Sequence, residues 1–198
     1  MARVKVGITG IPGSGKSELL RILSAKGYSV INADEVGHRV LDSLAQELGR
    51  RFGPEILNPD GTVNRKRLGE RVFRDQRALR ELESLVAPKI AFELGKLMER
   101  ARGDVVFVEA AMLFEYRLER IFDLTVAVLA PLEEAVKRAA RRLGYPVEVI
   151  EGMLKRQLPQ EEKAQRADLV LENKGGLGSL EREAERLLSE IRRRFGAS

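Results

Sequence analysis

The chain has 198 residues, no cysteine, one histidine and a formal net charge of +5. The absence of cysteine excludes disulfides, thiolate metal sites and cysteine-based catalysis, and a single histidine excludes a histidine-rich zinc site. Acidic and basic residues interleave along the sequence, so the positive charge does not require a nucleic-acid partner, and we expect none. The sequence has no run of 18 apolar residues and no signal-peptide pattern, which predicts a cytoplasmic protein without a membrane partner.

A glycine-rich loop joins the first apolar run to the first helical pattern. Residues 3–8 (RVKVGI) predict a buried strand, and the apolar spacing from Glu18 predicts a helix. Between them, residues 10–17 (GIPGSGKS) match G-x-x-x-x-G-K-[ST], the P-loop. In such a loop, backbone N–H groups and a helix N-terminus form an anion nest, Lys16 can reach the β- and γ-phosphates, and Ser17 can ligate Mg²⁺. The sequence therefore predicts a nucleoside triphosphate site.

The second apolar run ends beside a candidate catalytic carboxylate. Residues 28–31 (YSVI) predict a strand, and Asp34 follows three residues later. A strand-end residue at the carboxyl edge of a parallel sheet lies at the ligand crevice. A hydroxyl acceptor gains from a carboxylate that orients it and accepts its proton, so Asp34 favours a hydroxyl acceptor over a phosphate acceptor. The alternative is that Asp34 caps a helix beginning at Glu35.

Three further apolar runs complete the pattern of an α/β fold. They cover residues 104–108, 123–129 and 168–172, and helical patterns lie between them. None shows clean apolar–polar alternation, as expected of parallel strands covered on both faces. We therefore predict a single domain over 1–198 with the three-layer α/β fold of P-loop kinases and a five-stranded parallel sheet.

Two intervals are too long to be simple crossovers between strands. Residues 35–102 carry helical patterns, which predicts a helical insertion, and residues 138–160 predict a lid that excludes water from the nucleotide. Arg138, Arg141 and Arg142 lie at the start of the predicted lid. An arginine there could neutralise the transferring phosphoryl group, and we favour Arg138 and Arg142. The alternative is an ordinary solvated helix face.

The residues alone favour one class of P-loop protein. Glu109 ends the third predicted strand, where an acid could orient Mg²⁺, although it could equally belong to an ordinary strand-end turn. Residues 173–176 (NKGG) lack the final aspartate of the guanine-reading N-K-x-D, and no LSGGQ-like signature occurs. These features favour a small-molecule kinase that uses a nucleoside triphosphate and Mg²⁺. A kinase of another substrate and a regulatory P-loop ATPase remain the alternatives.

Taken together, the motifs resemble those of the dephospho-CoA kinase family over nearly the whole chain. The matching stretches are ITGIPGSGKS, NADEVGHRV, RFGPEIL with DGTVNRKRLGERVF, EAAMLFE, KRAARR and LKRQLPQEEKAQRADLVLENKG. The resemblance implies phosphorylation of the ribose 3′-hydroxyl of dephospho-CoA, the last step of coenzyme A synthesis. It implies ATP and dephospho-CoA as small-molecule substrates, and it makes 35–102 the acceptor-binding insertion. The chain departs from the family pattern at Pro12, Ala87, Glu109, Ala111 and Met153.

The patterns and the resemblance together give sets of candidate site residues. The catalytic set is Lys16, Asp34, Arg138 and Arg142. The ATP-binding set is Gly10, Pro12, Gly13, Ser14, Gly15, Lys16, Ser17, Glu18 and Asn173. The acceptor-binding set is Thr9, Asp34, His38, Arg65, Glu109 and Leu113, and the metal-binding set is Ser17 and Glu109. Nothing in the sequence indicates the oligomeric state.

Overall fold

The computed structural model describes residues 3–72, 75–175 and 177–197, without the side chain of Leu177. Its strands are β1 (Val4–Thr9), β2 (Ser29–Asn32), β3 (Val105–Glu109), β4 (Leu124–Leu129) and β5 (Leu169–Glu172). They form a five-stranded sheet in the order β2-β3-β1-β4-β5, in which every pairing is parallel. The predicted α/β fold with a five-stranded parallel sheet is therefore confirmed, and each strand begins one residue later than predicted.

Helices connect the strands and fill the long intervals between them. Within the described part of the chain they are α1 (Lys16–Ala25), α2 (Ala33–Ser43), α3 (Ala45–Phe52), α4 (Arg65–Val72), α5 (Gln76–Arg100), α6 (Leu132–Leu143), α7 (Val147–Leu154), α8 (Gln160–Arg166) and α9 (Leu177–Phe195). Short 3₁₀ turns cover Pro54–Ile56 and Leu118–Ile121. None of the described helices is long and apolar enough to cross a membrane.

The sheet topology brings several strand ends to one edge. The central strand is β1, which pairs with β3 on one side and β4 on the other. The register pairs Ile8 of β1 and Asn32 of β2 with Glu109, the last residue of β3. Because parallel strands end together, the loops after β1, β2 and β3 leave the sheet at the same edge, where doubly wound sheets bind their ligands.

One face of the sheet packs against the first and last helices. Apolar residues of α1 and α9 form a buried cluster with alternate residues of the strands. Its helical members include Leu19, Leu20, Leu23, Leu180, Ala184, Leu187, Leu188 and Ile191, and its strand members include Val6, Ile8, Phe107, Val126 and Leu171. This is the helical spacing expected of a core-facing stripe. Burying these side chains fixes the N-terminus of α1, and hence the P-loop, against the end of β1.

Contacts divide the described residues into two compact units. The first lies within Met1–Asn32 and Leu97–Ser198, and the second lies within Ala33–Lys96. The first unit contains the whole sheet with α1 and α6 to α9. The second contains α2, α3, α4 and most of α5, and it overlaps the predicted insertion over residues 35–96. That this helical unit binds an acceptor stays a prediction.

Candidate active site

The P-loop backbone has a shape that only glycine allows at two positions. Gly13 has φ +76°, and a Cβ on it would lie 1.9 Å from the carbonyl oxygen of Ala135 in α6. Gly15 has φ +106°, and a Cβ there would lie 2.5 Å from Nδ2 of Asn173. Both angles fall in the left-handed region, which side chains disfavour. The loop is therefore held closely between helix α6 and the residue that follows β5.

Lys16 is the first residue of α1, and its side chain lies along the inside of the loop. It is buried, with 7% of its surface exposed. Its Nζ donates hydrogen bonds to the carbonyl oxygens of Gly10 at 2.7 Å and Ile11 at 3.0 Å. The predicted phosphate-binding ammonium therefore lies within the loop whose N–H groups would hold the same phosphates.

The hydroxyl of Ser17 links a carboxylate and a guanidinium through two hydrogen bonds. Its hydroxyl donates to Oε1 of Glu109 at 3.0 Å and accepts from Nη1 of Arg142 at 3.1 Å. Ser17 lies in the first turn of α1, Glu109 ends β3 and Arg142 lies near the end of α6. The structure thus brings together the two predicted metal-binding residues and one of the predicted catalytic arginines.

Arg138 approaches the same loop from one turn earlier in α6. Its Nε donates to the carbonyl oxygen of Gly13 at 2.9 Å. Its Nη2 is buried and has no hydrogen-bond acceptor among the described residues. A buried guanidinium donor without an acceptor is costly, and a phosphate oxygen would satisfy it. Arg141, between the two, is exposed and makes neither contact with the loop.

Asn173, which directly follows β5, is buried and holds the P-loop through its side chain. Its Nδ2 donates to the carbonyl oxygen of Ser14 at 2.9 Å, and its Oδ1 accepts from the N–H of Gly175 at 3.3 Å. Its own N–H donates to the carbonyl oxygen of Leu129 at 2.8 Å. Asn173 was predicted as an ATP-binding residue, and these contacts give it the further role of holding the loop in place.

A cavity of about 410 Å³ opens between the loop and helix α6. Its lining combines loop backbone, α6 arginines and the C-terminal helix, and the residues are Gly13, Gly15, Glu18, Arg138, Arg142, Asn173 and Leu180. This volume falls within the usual range for small-molecule sites.

One residue that lines the cavity, Glu18, carries a negative charge. The hydrogen bond from Arg21 holds the pKa of the Glu18 carboxyl below its ordinary value, so Glu18 is an ion-paired carboxylate.

Leu113, a predicted acceptor-binding residue, lies in the core. It is fully buried, and a Cβ on Gly7 of β1 would come within 2.7 Å of its side chain and 2.6 Å of Phe122. Glycine at this strand position lets both apolar side chains pack onto the sheet. The structure thus gives Leu113 a packing role, and its contact with an acceptor stays a prediction.

Two of the predicted acceptor-binding residues in the second unit, Asp34 and His38, lie in α2, and the third, Arg65, begins α4. Asp34 lies in the first turn of α2, where the helix dipole favours a carboxylate, and His38 follows four residues later. This spacing puts both side chains on the same face of the helix. One further turn along, Asp42 forms an ion pair with Arg65 at 3.2 Å. Because α2 begins at Ala33 and not at Glu35, Asp34 lies inside the helix and not at the predicted capping position.

Sequence reasoning gave no role to two residues that the structure places beside the P-loop. Lys163 of α8 is completely buried, and its Nζ lies 2.8 Å from Oε1 of Glu115 and 3.5 Å from Oγ1 of Thr9. Thr9 directly precedes the loop. Lys163 and Glu115 both lie in stretches that match the dephospho-CoA kinase pattern, LKRQLPQEEKAQRADLVLENKG and EAAMLFE, and this match is the signal that could have found them. The charged run QEEKAQR around Lys163 has the composition of a solvated helix and gave no sign of its burial.

Comparison with known proteins identifies relatives of this chain. The family model described as dephospho-CoA kinase matches residues 4–179. The dephospho-CoA kinase of Anaeromyxobacter dehalogenans is 38% identical, over 94% of this chain and 92% of its own length. A Thermus thermophilus protein of known crystal structure is 37% identical with a TM-score of 0.85, over 96% of this chain and 99% of its own. The dephospho-CoA kinase of Campylobacter jejuni is 28% identical with a TM-score of 0.68, over 94% of this chain and 96% of its own.

Proposed function

The chain belongs to the dephospho-CoA kinase family, and we propose that it transfers the terminal phosphoryl group of ATP to the ribose 3′-hydroxyl of dephospho-CoA. Membership of this family makes it an ATP-dependent kinase. The assignment of individual residues to the steps of the reaction is our proposal. It starts from the contacts that surround the P-loop.

The observation that carries the proposal is the set of three cations bonded to the loop. Lys16 contacts the carbonyls of Gly10 and Ile11, Arg138 contacts Gly13, and Arg142 contacts Ser17. A triphosphate carries several negative charges, and transfer spreads charge over the moving phosphoryl group. Cations gathered around one loop favour that charge distribution, because they are already close to the place where it develops.

Ser17 and Glu109 are suited to hold Mg²⁺ with the nucleotide. Both offer hard oxygen ligands, which Mg²⁺ prefers, and their oxygens lie 3.0 Å apart. No cluster of three or more acidic or histidine side chains that could hold a metal occurs in residues 3–72, 75–175 and 177–197. Phosphates and water would therefore supply the remaining ligands. When bound, Mg²⁺ would neutralise charge on the β- and γ-phosphates. Arg142 would then release Ser17 and turn its donors to the phosphates.

On the acceptor side, we assign Asp34 as the base. The acceptor 3′-oxygen forms a bond to the γ-phosphorus, the bond from that phosphorus to the β–γ bridging oxygen breaks, and ADP leaves. The 3′-hydroxyl proton passes to the carboxylate of Asp34, which is exposed at the start of α2. His38 lies on the same helix face and would contact the acceptor. Arg65, held by Asp42, would contribute positive charge for the acceptor's phosphates.

A transfer assay with matched acceptors tests this function. The purified protein is given ATP with Mg²⁺ and either dephospho-CoA, adenosine, AMP or shikimate, and the phosphorylated product is identified by mass. We expect phosphate on the 3′-oxygen of dephospho-CoA and little transfer to the others. Transfer mainly to another acceptor would support a kinase of different substrate. ATP hydrolysis that dephospho-CoA leaves unchanged would support a regulatory ATPase. The cytoplasmic location stays a prediction from the sequence.

A further inference from the structure

A buried ion pair lies beneath the carboxyl edge of the sheet. Lys163 of α8 has no exposed side-chain surface, and Glu115, in the segment after β3, has 9% exposed. Nζ of Lys163 donates to Oε1 of Glu115 at 2.8 Å and to the carbonyl oxygen of Ala111 at 2.5 Å. The residues assigned to the reaction above do not include either partner.

This pair joins three segments that matter for phosphoryl transfer. Thr9 is the residue before the P-loop, and its hydroxyl donates to the same Ala111 carbonyl at 3.2 Å. Ala111 lies two residues after Glu109, which holds Ser17. The N–H of Leu158, at the end of the predicted lid, donates to Oε1 of Glu115 at 2.8 Å. One ammonium and one carboxylate thus connect the P-loop, the end of β3 and the end of residues 138–160.

Stability alone is a weak explanation for this pair. Removing two charges from water is costly, and apolar replacements of such pairs are often no less stable. Oε2 of Glu115 is buried and has no hydrogen-bond partner among the described residues. A partly satisfied buried network is a poor stabiliser, so its directional contacts are the better reason for its presence.

We infer that Lys163 and Glu115 are positioning residues for the transfer reaction. The pair holds Thr9 and the segment after Glu109 at a fixed distance from Leu158, near the end of residues 138–160. The cations of α6 therefore meet the P-loop in the orientation that transfer needs. The inference rests on the proposed function, and it adds two residues that act through others without touching the substrate.

The test compares single and double variants of the pair. Lys163→Met leaves a buried carboxylate unpaired, and Glu115→Gln leaves a buried ammonium without its charge partner, so both should lower the melting temperature. The double variant Lys163→Met with Glu115→Gln has no buried charge, and its new amide oxygen can still accept from the N–H of Leu158. We expect the double variant to recover the melting temperature while kcat stays about 10²-fold below wild type, the cost of a misplacement of about 1 Å. KM for ATP should change by less than about threefold, since the loop N–H groups are retained.

A surface pair in the same unit provides the matched control. Lys26 and Glu185 form an exposed ion pair between the end of α1 and α9. Lys26→Met with Glu185→Gln should leave kcat unchanged. Recovery of both kcat and the melting temperature in the buried double variant would overturn the inference and make the pair structural.

Two further measurements separate the possible failures. If the double variant does not fold, Glu115→Asp takes its place, because it keeps both charges and withdraws the carboxylate by one methylene. A folded Glu115→Asp protein should show kcat lowered by about tenfold, and normal kcat would overturn the inference. The wild-type assay with dephospho-CoA tests the proposed function independently. If the wild type only hydrolyses ATP, that function fails, and the same variants are compared on the hydrolysis rate with the same criteria.

Discussion

The side chains around the P-loop and those at the end of helix α6 differ in their exposure to solvent. Lys16 and Asn173, on the loop side, are at least nine-tenths buried and bond to the loop backbone. Arg142 is exposed and reaches the loop through one hydrogen bond to Ser17. The end of α6, the turn after it and the start of α7 expose apolar residues as well, and these are Leu143, Tyr145, Val147 and Val149. The loop is thus fixed by buried contacts within the protein, whereas the contact of Arg142 can be exchanged at low cost.

Replacing Lys16 tests the buried contacts of the P-loop and should have the largest effect on kcat. In Lys16→Ala the loop keeps its N–H groups but loses the ammonium that neutralises β- and γ-phosphate charge. We expect kcat to fall by about 10⁴-fold, within the range for cations that act on the transition state. Steady-state transfer to dephospho-CoA measures this, with circular dichroism to verify folding. Lys26→Ala, a surface lysine at the other end of the same helix, is the control, and near-normal turnover in Lys16→Ala would refute a catalytic P-loop.

The three arginines of α6 test the other side of this comparison. Arg138→Ala and Arg142→Ala should each lower kcat by about 10³-fold, since each removes a cation that can reach the transferring group. Arg141→Ala is the matched control, because it lies on the same helix without either contact to the loop. Stopped-flow or coupled kinetics at saturating ATP separates kcat from binding. Three equal, near-normal rates would support the solvated-face interpretation of this run.

Asp34 extends the comparison to the acceptor side. Asp34→Asn keeps the shape of the side chain and removes its basicity, so transfer should fall by roughly 10²–10⁴-fold while ATP affinity and the melting temperature change little. The measurements are kcat with dephospho-CoA, ATP binding by calorimetry, and thermal unfolding. Glu35→Gln, at the next position of the same helical turn, is the control. Unchanged kcat in folded Asp34→Asn would contradict its assignment as the base.

Two glycines allow the stability of the P-loop to be compared with that of the turn after α6. Gly13 and Gly144 both have positive φ, but a Cβ at Gly13 would meet the Ala135 carbonyl at 1.9 Å, and one at Gly144 would meet nothing within 4 Å. Gly144→Ala should cost only the left-handed backbone, about 1 kcal/mol. Gly13→Ala must also shift backbone atoms, so the unfolding free energy should fall by about 3 kcal/mol or more. Urea unfolding of the two variants measures this, and equal losses would show that the loop can move away from α6.

The sequence predicted best those features that depend on residues adjacent in the chain. The strands and the P-loop follow from local apolar runs and from one eight-residue motif, and the strand starts were predicted within one residue. Asp34 could be placed because it closely follows a strand. Its helix begins two residues earlier than predicted, directly after Asn32, and asparagine is a favoured residue immediately before a helix.

Contacts between distant segments could not be predicted in the same way. Arg142 and Ser17 are 125 residues apart, and Lys163 and Glu115 are 48 apart. Such pairs depend on strand order and helix packing, which a charge pattern does not carry. Leu113 is a different case: the family motif suggests an acceptor-binding residue, the structure shows its side chain packed close to Gly7, and its contact with an acceptor stays a prediction.

The hydrogen bonds that Ser17 and Lys16 make within the protein have a consequence for selectivity. The hydroxyl of Ser17 is held between a carboxylate and a guanidinium, and the ammonium of Lys16 is held by two carbonyls. A ligand must therefore replace these hydrogen bonds with its own. The net free energy of binding is the difference between the new contacts and those that are lost. A small anion such as inorganic phosphate can replace only some of them and brings no cation for Ser17. The resting contacts thus act as internal competitors, which disfavour stray anions and favour a ligand long enough to replace all of them at once.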